Sequence, residues 1–116
     1  MRLILAILAL LIAPMAVTGC APPPTAEEIA AADCTARGGK MQEVGRMRTL
    51  QCVIQYADAG RPCRTGSDCL GDCRTAGSVA VLEGRETTGV CQATSDRFGC
   101  YTRVEDGKAT PTICVD

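Results

Sequence analysis

The stretch CRTGSDCLGDC, residues 63–73, places three of the nine cysteines of this 116-residue chain within one short segment. The residues between them are mainly Gly, Asp, Ser, Thr and Arg, and several of these types favour tight turns. In a small exported protein, cysteines at this density are typical of a disulfide framework. The stretch therefore predicts irregular turns held by sulfur, and we expect the same for the surrounding segment 57–77.

The N-terminus has the pattern of an export signal. Residues 3–13, LILAILALLIA, carry no charge and follow Arg2. A membrane-spanning helix needs about 20 apolar residues, whereas a run of about 7–15 behind a positive charge has the size of a signal-peptide core. Pro14 then interrupts the helical run. We expect residues 1–19 to be a signal peptide.

The end of this segment, Val17-Thr18-Gly19-Cys20, resembles the lipobox of bacterial lipoproteins. The resemblance implies that Cys20 receives a diacylglycerol, that the chain is cut before it, and that the new amino group is acylated, with palmitate as the expected acyl group. Two or three acyl chains anchor a protein stably, whereas one binds only marginally. Ala21, in place of Asp, implies sorting to the outer membrane, on the side that faces the periplasm. An ordinary signal peptide followed by a free cysteine is the alternative.

The remaining segment, 20–116, is poor in large apolar side chains. The chain has two Tyr, one Phe and no Trp, and most of its Leu and Ile lie in the signal segment. Burying so few large side chains falls short of the conformational entropy of ordering the chain, so cross-links are needed. The 12 basic and 13 acidic residues form no basic stripe, which argues against a nucleic-acid partner. We expect a single domain over residues 26–116.

Setting Cys20 aside leaves an even number of cysteines, which predicts four disulfides. The eight remaining cysteines are Cys34, Cys52, Cys63, Cys69, Cys73, Cys91, Cys100 and Cys114. A bridge that closes a loop of about 15 residues contributes about 3 kcal/mol. Zinc sites are usually built from two close pairs of ligands, but Cys69 and Cys73 are the only close pair and the chain has no His. We therefore expect no metal and no cofactor.

The pairing follows from a resemblance. The stretch 63–73 resembles the C…DC…C cores of small extracellular cysteine-rich domains, in which neighbouring bridges interleave. This implies the bridges Cys63–Cys73 and Cys69–Cys91, with Cys34–Cys52 and Cys100–Cys114 as local bridges. The segment from Cys34 to Lys40 resembles the start of small periplasmic cysteine-containing domains. The whole of 20–116 resembles small eight-cysteine lipoproteins of Gram-negative bacteria. Neither resemblance implies an activity.

One helix is predicted, next to a tether. The segment 20–25 contains three successive prolines and favours an extended polyproline spacer between the lipid and the domain. Thr25 and Glu28 form a capping-box pattern, and the alanine-rich run that follows favours a helix. Gly38 is well placed to end this helix in a left-handed conformation. We expect Ile29 and Cys34 to attach it to the rest of the domain.

Short strands are predicted for the remainder, which gives a small, disulfide-rich α+β fold that is mostly β. In RTLQCVIQY, the alternation of Leu50, Cys52, Ile54 and Tyr56 predicts a strand with one buried face. KMQEV, residues 40–44, is its expected antiparallel partner. SVAVL and GVCQAT, residues 78–82 and 89–94, predict two strands joined by EGRETT. Asp106-Gly107 between GCYTRV and KATPTICV predicts a hairpin, whose second strand lies at an edge or bulges at Pro111.

The sequence offers candidate residues for a calcium site and for catalysis but completes neither pattern. Asp68 and Asp72, with Ser67 and Gly71, offer oxygen ligands for Ca²⁺, but the EF-hand pattern is absent and such residues also cap turns. Without His, the serine residues lack a usual general base and a Cys–His pair is excluded. Four carboxylates could supply a glycosidase-like pair, although such pairs arise by chance on surfaces: Glu83, Glu86, Glu105 and Asp106. We expect no enzyme activity and no small-molecule substrate.

The functional hypotheses are therefore binding functions. Arg61, Arg64 and Arg74 surround the cysteine-dense stretch and either recognise a carboxylate or form a solvated rim balanced by nearby aspartates, Asp58, Asp68 and Asp72. We expect a membrane-anchored, non-catalytic interaction module with an envelope protein as partner. The alternative is a small protease inhibitor that presents the loop Arg85–Val90, with Arg85 entering a trypsin-like pocket.

Overall fold

The structure is a computed structural model and describes residues 19–77 and 80–116. In these residues it contains one helix, short antiparallel strands and four disulfides, which confirms the predicted fold class. The elements are α1 (Ala26–Ala36), β1 (Gly39–Val44), β2 (Thr49–Ile54), β3 (Pro62–Cys63), a 3₁₀ turn (Gly66–Asp68), β4 (Cys73–Thr75), β5 (Gly89–Cys91), β6 (Gly99–Tyr101), β7 (Val104–Glu105), β8 (Lys108–Ala109) and β9 (Ile113–Val115). The predicted signal-peptide core lies outside the described residues.

Helix α1 begins at the predicted capping box. The Thr25 hydroxyl accepts the Glu28 amide at 3.2 Å, and the Glu28 carboxylate accepts the Thr25 amide at 2.7 Å. Gly38, just past the helix, has φ of 75°, as expected of a glycine that ends a helix. Of the two residues expected to attach the helix, Cys34 is buried but Ile29 is 56% exposed. The attachment through Ile29 was wrong, and Cys34 is the only buried residue of the helix.

Strands β1 and β2 form the predicted hairpin, in which Met41 lies opposite Cys52. The bridge Cys34–Cys52 joins the helix to this hairpin. Gly39 lies against the bridge, since a Cβ at this position would come within 2.7 Å of the Cys52 sulfur and 2.9 Å of the Cys34 sulfur. The sequence pattern Gly38-Gly39 therefore combines two requirements, a left-handed helix end and a close approach of backbone to sulfur.

The predicted buried face of β2 is only partly correct, because Cys52, Ile54 and Tyr56 are half-buried whereas Leu50 is exposed. Val53 is the buried residue of this strand, at 3% exposure, whereas Leu50 is 45% exposed. Alternating side chains point to opposite faces of a strand, so Val53 lies on the face opposite to Leu50 and Cys52. Helix α1 contributes only Cys34 as a buried side chain, and so the face of β2 that carries Cys52 is covered only in part.

A three-stranded sheet in the order β3-β5-β4 forms the centre of the domain. The prediction for the segment 89–94 holds for Gly89–Cys91, but residues 80–82 of SVAVL form no strand and residues 78–79 lie outside the described part. The partners of β5 come instead from the segment expected to be irregular throughout, in which Cys63 pairs with Gly89 and Cys73 with Cys91. The cross-links explain this, because Cys63–Cys73 and Cys69–Cys91 hold that segment around β5.

The C-terminal residues form the predicted hairpin. β7 pairs with β8 across Asp106-Gly107, whose φ values of 49° and 75° are those of the turn favoured by Asp-Gly. Further along, β6 pairs with β9, so that Cys100 lies directly opposite Cys114. Pro111 lies between β8 and β9, where the pairing is interrupted. The hairpin is therefore a long one with a break at the proline.

Cysteines make up most of the central buried cluster. The four disulfides are Cys34–Cys52, Cys63–Cys73, Cys69–Cys91 and Cys100–Cys114, the same pairs that the resemblance implied. The buried cluster at the centre consists of Cys63, Cys73, Cys91 and Val104, with Cys69 packed against it. Apart from Val104, the core cluster of the described residues is thus built from cystine. This agrees with the shortage of large apolar side chains in the sequence.

Candidate functional site

An open groove of about 790 Å³ lies beside the cysteine-dense stretch. It is formed by two turns, residues 57–61 and residues 67–70. The bridge Cys69–Cys91 ties the second turn to β5, and the Leu70 amide donates to the Asp58 carboxylate at 2.7 Å. These two links hold the walls of the groove in place.

Two side chains of opposite charge, Asp58 and Arg61, lie close together in the groove. The Asp58 side chain is only 10% exposed, and its Oδ2 lies 3.8 Å from Nη2 of Arg61. Nη2 of Arg61 also donates to the carbonyl of Asp68 on the facing turn. Asp58 Oδ1 is buried without a hydrogen-bond partner among the described residues. The Arg61 guanidinium thus links the two turns and balances the charge of Asp58.

A single apolar side chain stands out on the rim. Leu70 is 66% exposed and lines the groove together with Ala57 and Ala59. Leu70 was not among the predicted site residues. Its signal was available, because Leu70 is the only large apolar residue between Cys63 and Cys73.

The Asp68 carboxylate stabilises its own turn. Its Oδ2 accepts the amides of Arg64 at 2.9 Å and Thr65 at 3.2 Å. These two hydrogen bonds lower the pKa of Asp68 below its ordinary value, against a smaller opposing effect of desolvation. The carboxylate is therefore an acceptor for a turn, which is the role expected of it as the alternative to a calcium ligand.

Glu105 connects this turn to the C-terminal hairpin. Its Oε2 accepts the Thr65 hydroxyl at 2.6 Å and the Gly66 amide at 3.3 Å. Both contacts, the hydroxyl first, lower the pKa of Glu105. On the other side, the Gly107 amide donates to the Arg64 carbonyl at 2.8 Å. The cysteine-dense stretch and the β7–β8 turn thus form one hydrogen-bonded unit.

The three arginines around the cysteine-dense stretch do not converge on one site. Arg61 faces the groove, whereas Arg74 lies on β4 with its guanidinium 3.5 Å from the centre of the Tyr101 ring. Nη2 of Arg74 pairs with Asp72 at 3.1 Å, and its Nε is buried without a partner among the described residues. Arg64 is exposed and lies against Gly107. Pairing with Asp58 agrees with the solvated-rim interpretation for Arg61, whose side chain is 60% exposed. The interpretation was wrong for Arg74, because its side chain is only 16% exposed and packs on Tyr101.

A second, smaller pocket of about 240 Å³ lies between β4 and the terminal hairpin. It is lined by Arg74 and Tyr101 and by Cys100, and also by Thr102 and Thr112, whose hydroxyls are 2.6 Å apart. Arg74, Tyr101 and Cys100 come from two different strands, so the pocket exists only in the folded chain.

Cys20 is the one cysteine without a disulfide partner, and it is exposed. It lies six positions before the first residue of α1, and the intervening segment 21–25 is exposed and has no helix or strand. Residues 17 and 18 of the lipobox pattern fall outside the described part.

The loop Arg85–Val90, which was considered as an inhibitory loop, is held by backbone contacts with residues 107–109. Arg85 is exposed, but its carbonyl accepts the Ala109 amide at 2.9 Å. Glu86 forms a β-bridge with Lys108, and the Thr87 amide donates to the Gly107 carbonyl at 2.9 Å. The loop thus lies along β8 and then continues into β5.

The candidate metal ligands, sulfur and carboxylate, already have other partners. The sulfurs of Cys63, Cys69 and Cys91 lie within 4.8 Å of one another, but all three belong to disulfides and offer no thiolate. Asp68 and Asp72, the residues considered for Ca²⁺, are engaged by backbone amides and by Arg74.

The carboxylates considered for catalysis include two that flank one strand, since Glu86 and Glu105 both lie opposite Lys108. Neither the groove nor the smaller pocket is lined by Glu83, Glu86, Glu105 or Asp106. Ser95 accepts the Ile54 amide at 2.9 Å, so its hydroxyl belongs to the structure of the hairpin edge. Ser67 lines the groove, and Ser78 lies outside the described residues.

No family model matches this chain, and no match was found to a curated protein or to a solved structure. Among the described residues, none of the helices combines the length and the apolar character that crossing a bilayer requires. The assignment of function therefore depends on the residues and geometry given above.

Proposed function

We propose that this chain is a lipid-anchored lipoprotein of a bacterial cell envelope, directed to the periplasmic face of the outer membrane. The observation that carries the proposal is the division of the nine cysteines. Eight are paired within the domain, and the ninth, Cys20, is exposed and follows a lipobox-like sequence. Four disulfides are also typical of an oxidising compartment such as the periplasm, which supports this location.

The anchor is tested by the intact mass of the protein purified from membranes. We expect a chain that begins at Cys20, carries a diacylglycerol and an amide-linked acyl chain, and lacks two hydrogens for each of four bridges. Cys20→Ser is the matched control, and it should remain unlipidated and leave the membrane-anchored fraction. A mature protein with an unmodified Cys20 thiol contradicts the proposal.

We further propose that the anchored domain is a non-catalytic interaction module and that a partner protein binds at the groove. Leu70 supports this surface, because an exposed leucine flanked by alanines and one arginine resembles the small apolar centre and polar rim of a protein interface. The charged groups beside it are already paired with one another, which supports binding over catalysis.

A photo-crosslinking residue at position 70 tests this surface in intact cells. We expect one crosslinked envelope protein from position 70 and none from position 47. Met47 is the control because it is more exposed, at 85%, but lies in the turn between β1 and β2, away from the residues that line the groove. Leu70→Asp should also prevent copurification of that protein, whereas Met47→Asp should not. Equal crosslinking from both positions contradicts a groove-specific partner.

The alternative proposal, a protease inhibitor, has less support from the geometry. An inhibitor that binds like a substrate presents the carbonyl of its specificity residue to the protease oxyanion hole. The Arg85 carbonyl is occupied by the Ala109 amide. Titration of trypsin with the purified protein tests the alternative directly. A stoichiometric complex that Arg85→Ala abolishes would replace the interaction module as the proposal.

A further inference from the structure

The four disulfides differ sharply in their exposure. In the bridges Cys63–Cys73 and Cys69–Cys91, three of the four cysteines are buried, and Cys34 is buried in the bridge to the helix. By contrast, Cys100 and Cys114 are both exposed. Neither belongs to the buried cluster at the centre of the domain. This is the bridge that a thiol in solution reaches without any opening of the fold.

The exposed bridge is not needed to hold its two strands together. Cys100 and Cys114 are direct partners in the pairing of β6 with β9. The Thr102 and Thr112 hydroxyls, 2.6 Å apart, and the Thr110 amide, which donates to the Arg103 carbonyl at 2.9 Å, hold the same hairpin. Opening the bridge therefore leaves the surrounding hydrogen bonds and the central cluster in place.

The two sulfurs have different surroundings. Cys100 lines the smaller pocket together with Arg74 and Tyr101, whereas Cys114 does not line it. The Arg74 guanidinium stacks on Tyr101 and is mostly buried, with a side-chain exposure of 16%. Arg74 and Cys100 thus line one pocket. Positive charge facing such a pocket favours a thiolate there, and a stabilised thiolate is the better leaving group in disulfide exchange.

From these observations we propose that Cys100–Cys114 is a thiol–disulfide exchange site that accepts exposed thiols, with Cys114 as the attacked sulfur and Cys100 as the leaving sulfur. An incoming thiolate bonds to the Cys114 sulfur, the Cys100–Cys114 bond breaks, and Cys100 departs as a thiolate at the pocket that Arg74 also lines. With a dithiol, the second thiolate attacks the dithiol sulfur that is bonded to Cys114. This closes a disulfide within the dithiol and releases Cys114 as a thiolate. The dithiol is then oxidised to a disulfide, and Cys100 and Cys114 have taken up its two electrons as thiols.

The proposal goes beyond the interaction module and does not depend on the lipid anchor. Arg74 acts on Cys100 as a positioning and charge-stabilising residue, and the pocket around it determines the direction of attack. The same geometry leaves the other three bridges as permanent structural cross-links.

Limited reduction of the full protein purified from membranes tests the exchange site. Free thiols are first blocked with N-ethylmaleimide, and the protein is then treated with dilute dithiothreitol at pH 7 and alkylated at intervals. We expect Cys100 and Cys114 to be labelled at least about tenfold faster than any other cysteine, with an unchanged far-ultraviolet circular dichroism spectrum. Labelling of another bridge at the same rate, or loss of the folded spectrum as this bridge opens, overturns the proposal.

Glutathione, a monothiol, tests the direction of attack. Peptide mass mapping should find glutathione attached to Cys114 in preference to Cys100. Arg74→Gln should remove that preference, and Arg74→Lys should largely restore it, a pattern that a merely structural role for Arg74 would not produce. The double variant Cys100→Ser/Cys114→Ser should take up no glutathione. Equal attachment to both cysteines in the unmodified protein, or uptake by the double variant, contradicts the assignment.

Discussion

The Thr65 hydroxyl donates a hydrogen bond of 2.6 Å to the carboxylate of Glu105, a residue 40 positions away in the sequence. This contact joins the cysteine-dense stretch to the β7–β8 hairpin. It sits at the edge of the domain, beside a core made largely of disulfides. The link between these two parts of the chain is therefore polar as well as covalent, and it responds to the ionisation of a carboxylate.

Glu105→Gln should weaken the pH dependence of stability. The folded pKa of Glu105 is lowered, so its carboxylate stabilises the fold above the ordinary pKa of Glu, about 4.3, and this contribution is lost as pH falls through the lowered folded value. Because the group is exposed, we expect the variant to lose at most about 1 kcal/mol at pH 7. Urea unfolding from pH 7 to pH 3 measures the difference.

The matched control is Glu27→Gln on the exposed first turn of α1. It should leave the Glu105-dependent part of the curve unchanged. Asp68 contributes in the same direction, since its pKa is also lowered by hydrogen bonds. A Glu105→Gln protein whose stability falls with pH as steeply as that of the unmodified protein would contradict the assigned role.

Two adjacent glycines should respond differently to the same substitution. Gly38 has φ of 75° and open space where a Cβ would lie, so Gly38→Asn is expected to cost less than about 1 kcal/mol, because Asn tolerates this conformation. Gly39→Asn inserts atoms against the Cys34–Cys52 sulfurs and should cost about 1–3 kcal/mol. Thermal or urea unfolding of the two variants compares them directly. Equal losses would mean that sulfur packing does not restrict position 39.

Removing the bridge to the helix should release the helix alone. Since Cys34 is the only buried residue of α1, Cys34→Ser/Cys52→Ser should lower helix protection by about 3 kcal/mol, roughly a hundredfold in hydrogen exchange. Amides of β5 should keep their protection. Ile29→Ala is the control and should change little, because this side chain is 56% exposed. Loss of protection throughout the domain would contradict this independence.

Val104 is the aliphatic centre of the core and should be sensitive to truncation. It is fully buried among Cys63, Cys73 and Cys91. Val104→Ala should lower the free energy of unfolding by about 2 kcal/mol, through lost burial and the cavity that remains. Leu82→Ala, at a side chain 75% exposed, should change it by less than about 0.5 kcal/mol. Chemical unfolding under non-reducing conditions measures both, and similar losses would contradict the assigned core.

Local signals in the sequence were sufficient for the elements that depend on neighbouring residues. The capping box at Thr25 and Glu28 located the helix start, and Asp106-Gly107 located the terminal hairpin, because both depend on contacts within a few residues. The pairing in the cysteine-dense stretch came from resemblance to other disulfide-rich domains. Periodicity alone missed the burial of Val53 on the opposite face of β2, since alternation does not tell which face another element covers.

The sequence alone did not predict the groove or the smaller pocket, because both depend on contacts between residues far apart in the chain. Leu70 and Asp58 meet because Cys69–Cys91 draws two turns together, and Arg74 reaches Tyr101 because β4 lies beside the terminal hairpin. Contacts of this kind depend on long-range pairing between strands of two or three residues. Strands this short carry little periodic signal, so sequence alone does not locate them. The same weakness led to the prediction of a strand over 78–82, of which residues 80–82 form none.

The sequence by itself determined that this chain needs cross-links and that one cysteine is left over, because a shortage of large apolar side chains and an odd cysteine count are properties of composition. It also determined the helix and the terminal turn, since these depend on local backbone preferences. Only the tertiary structure decided which sulfurs are buried and which are exposed. Exposure depends on what packs against each bridge, and that packing joins residues far apart in the chain.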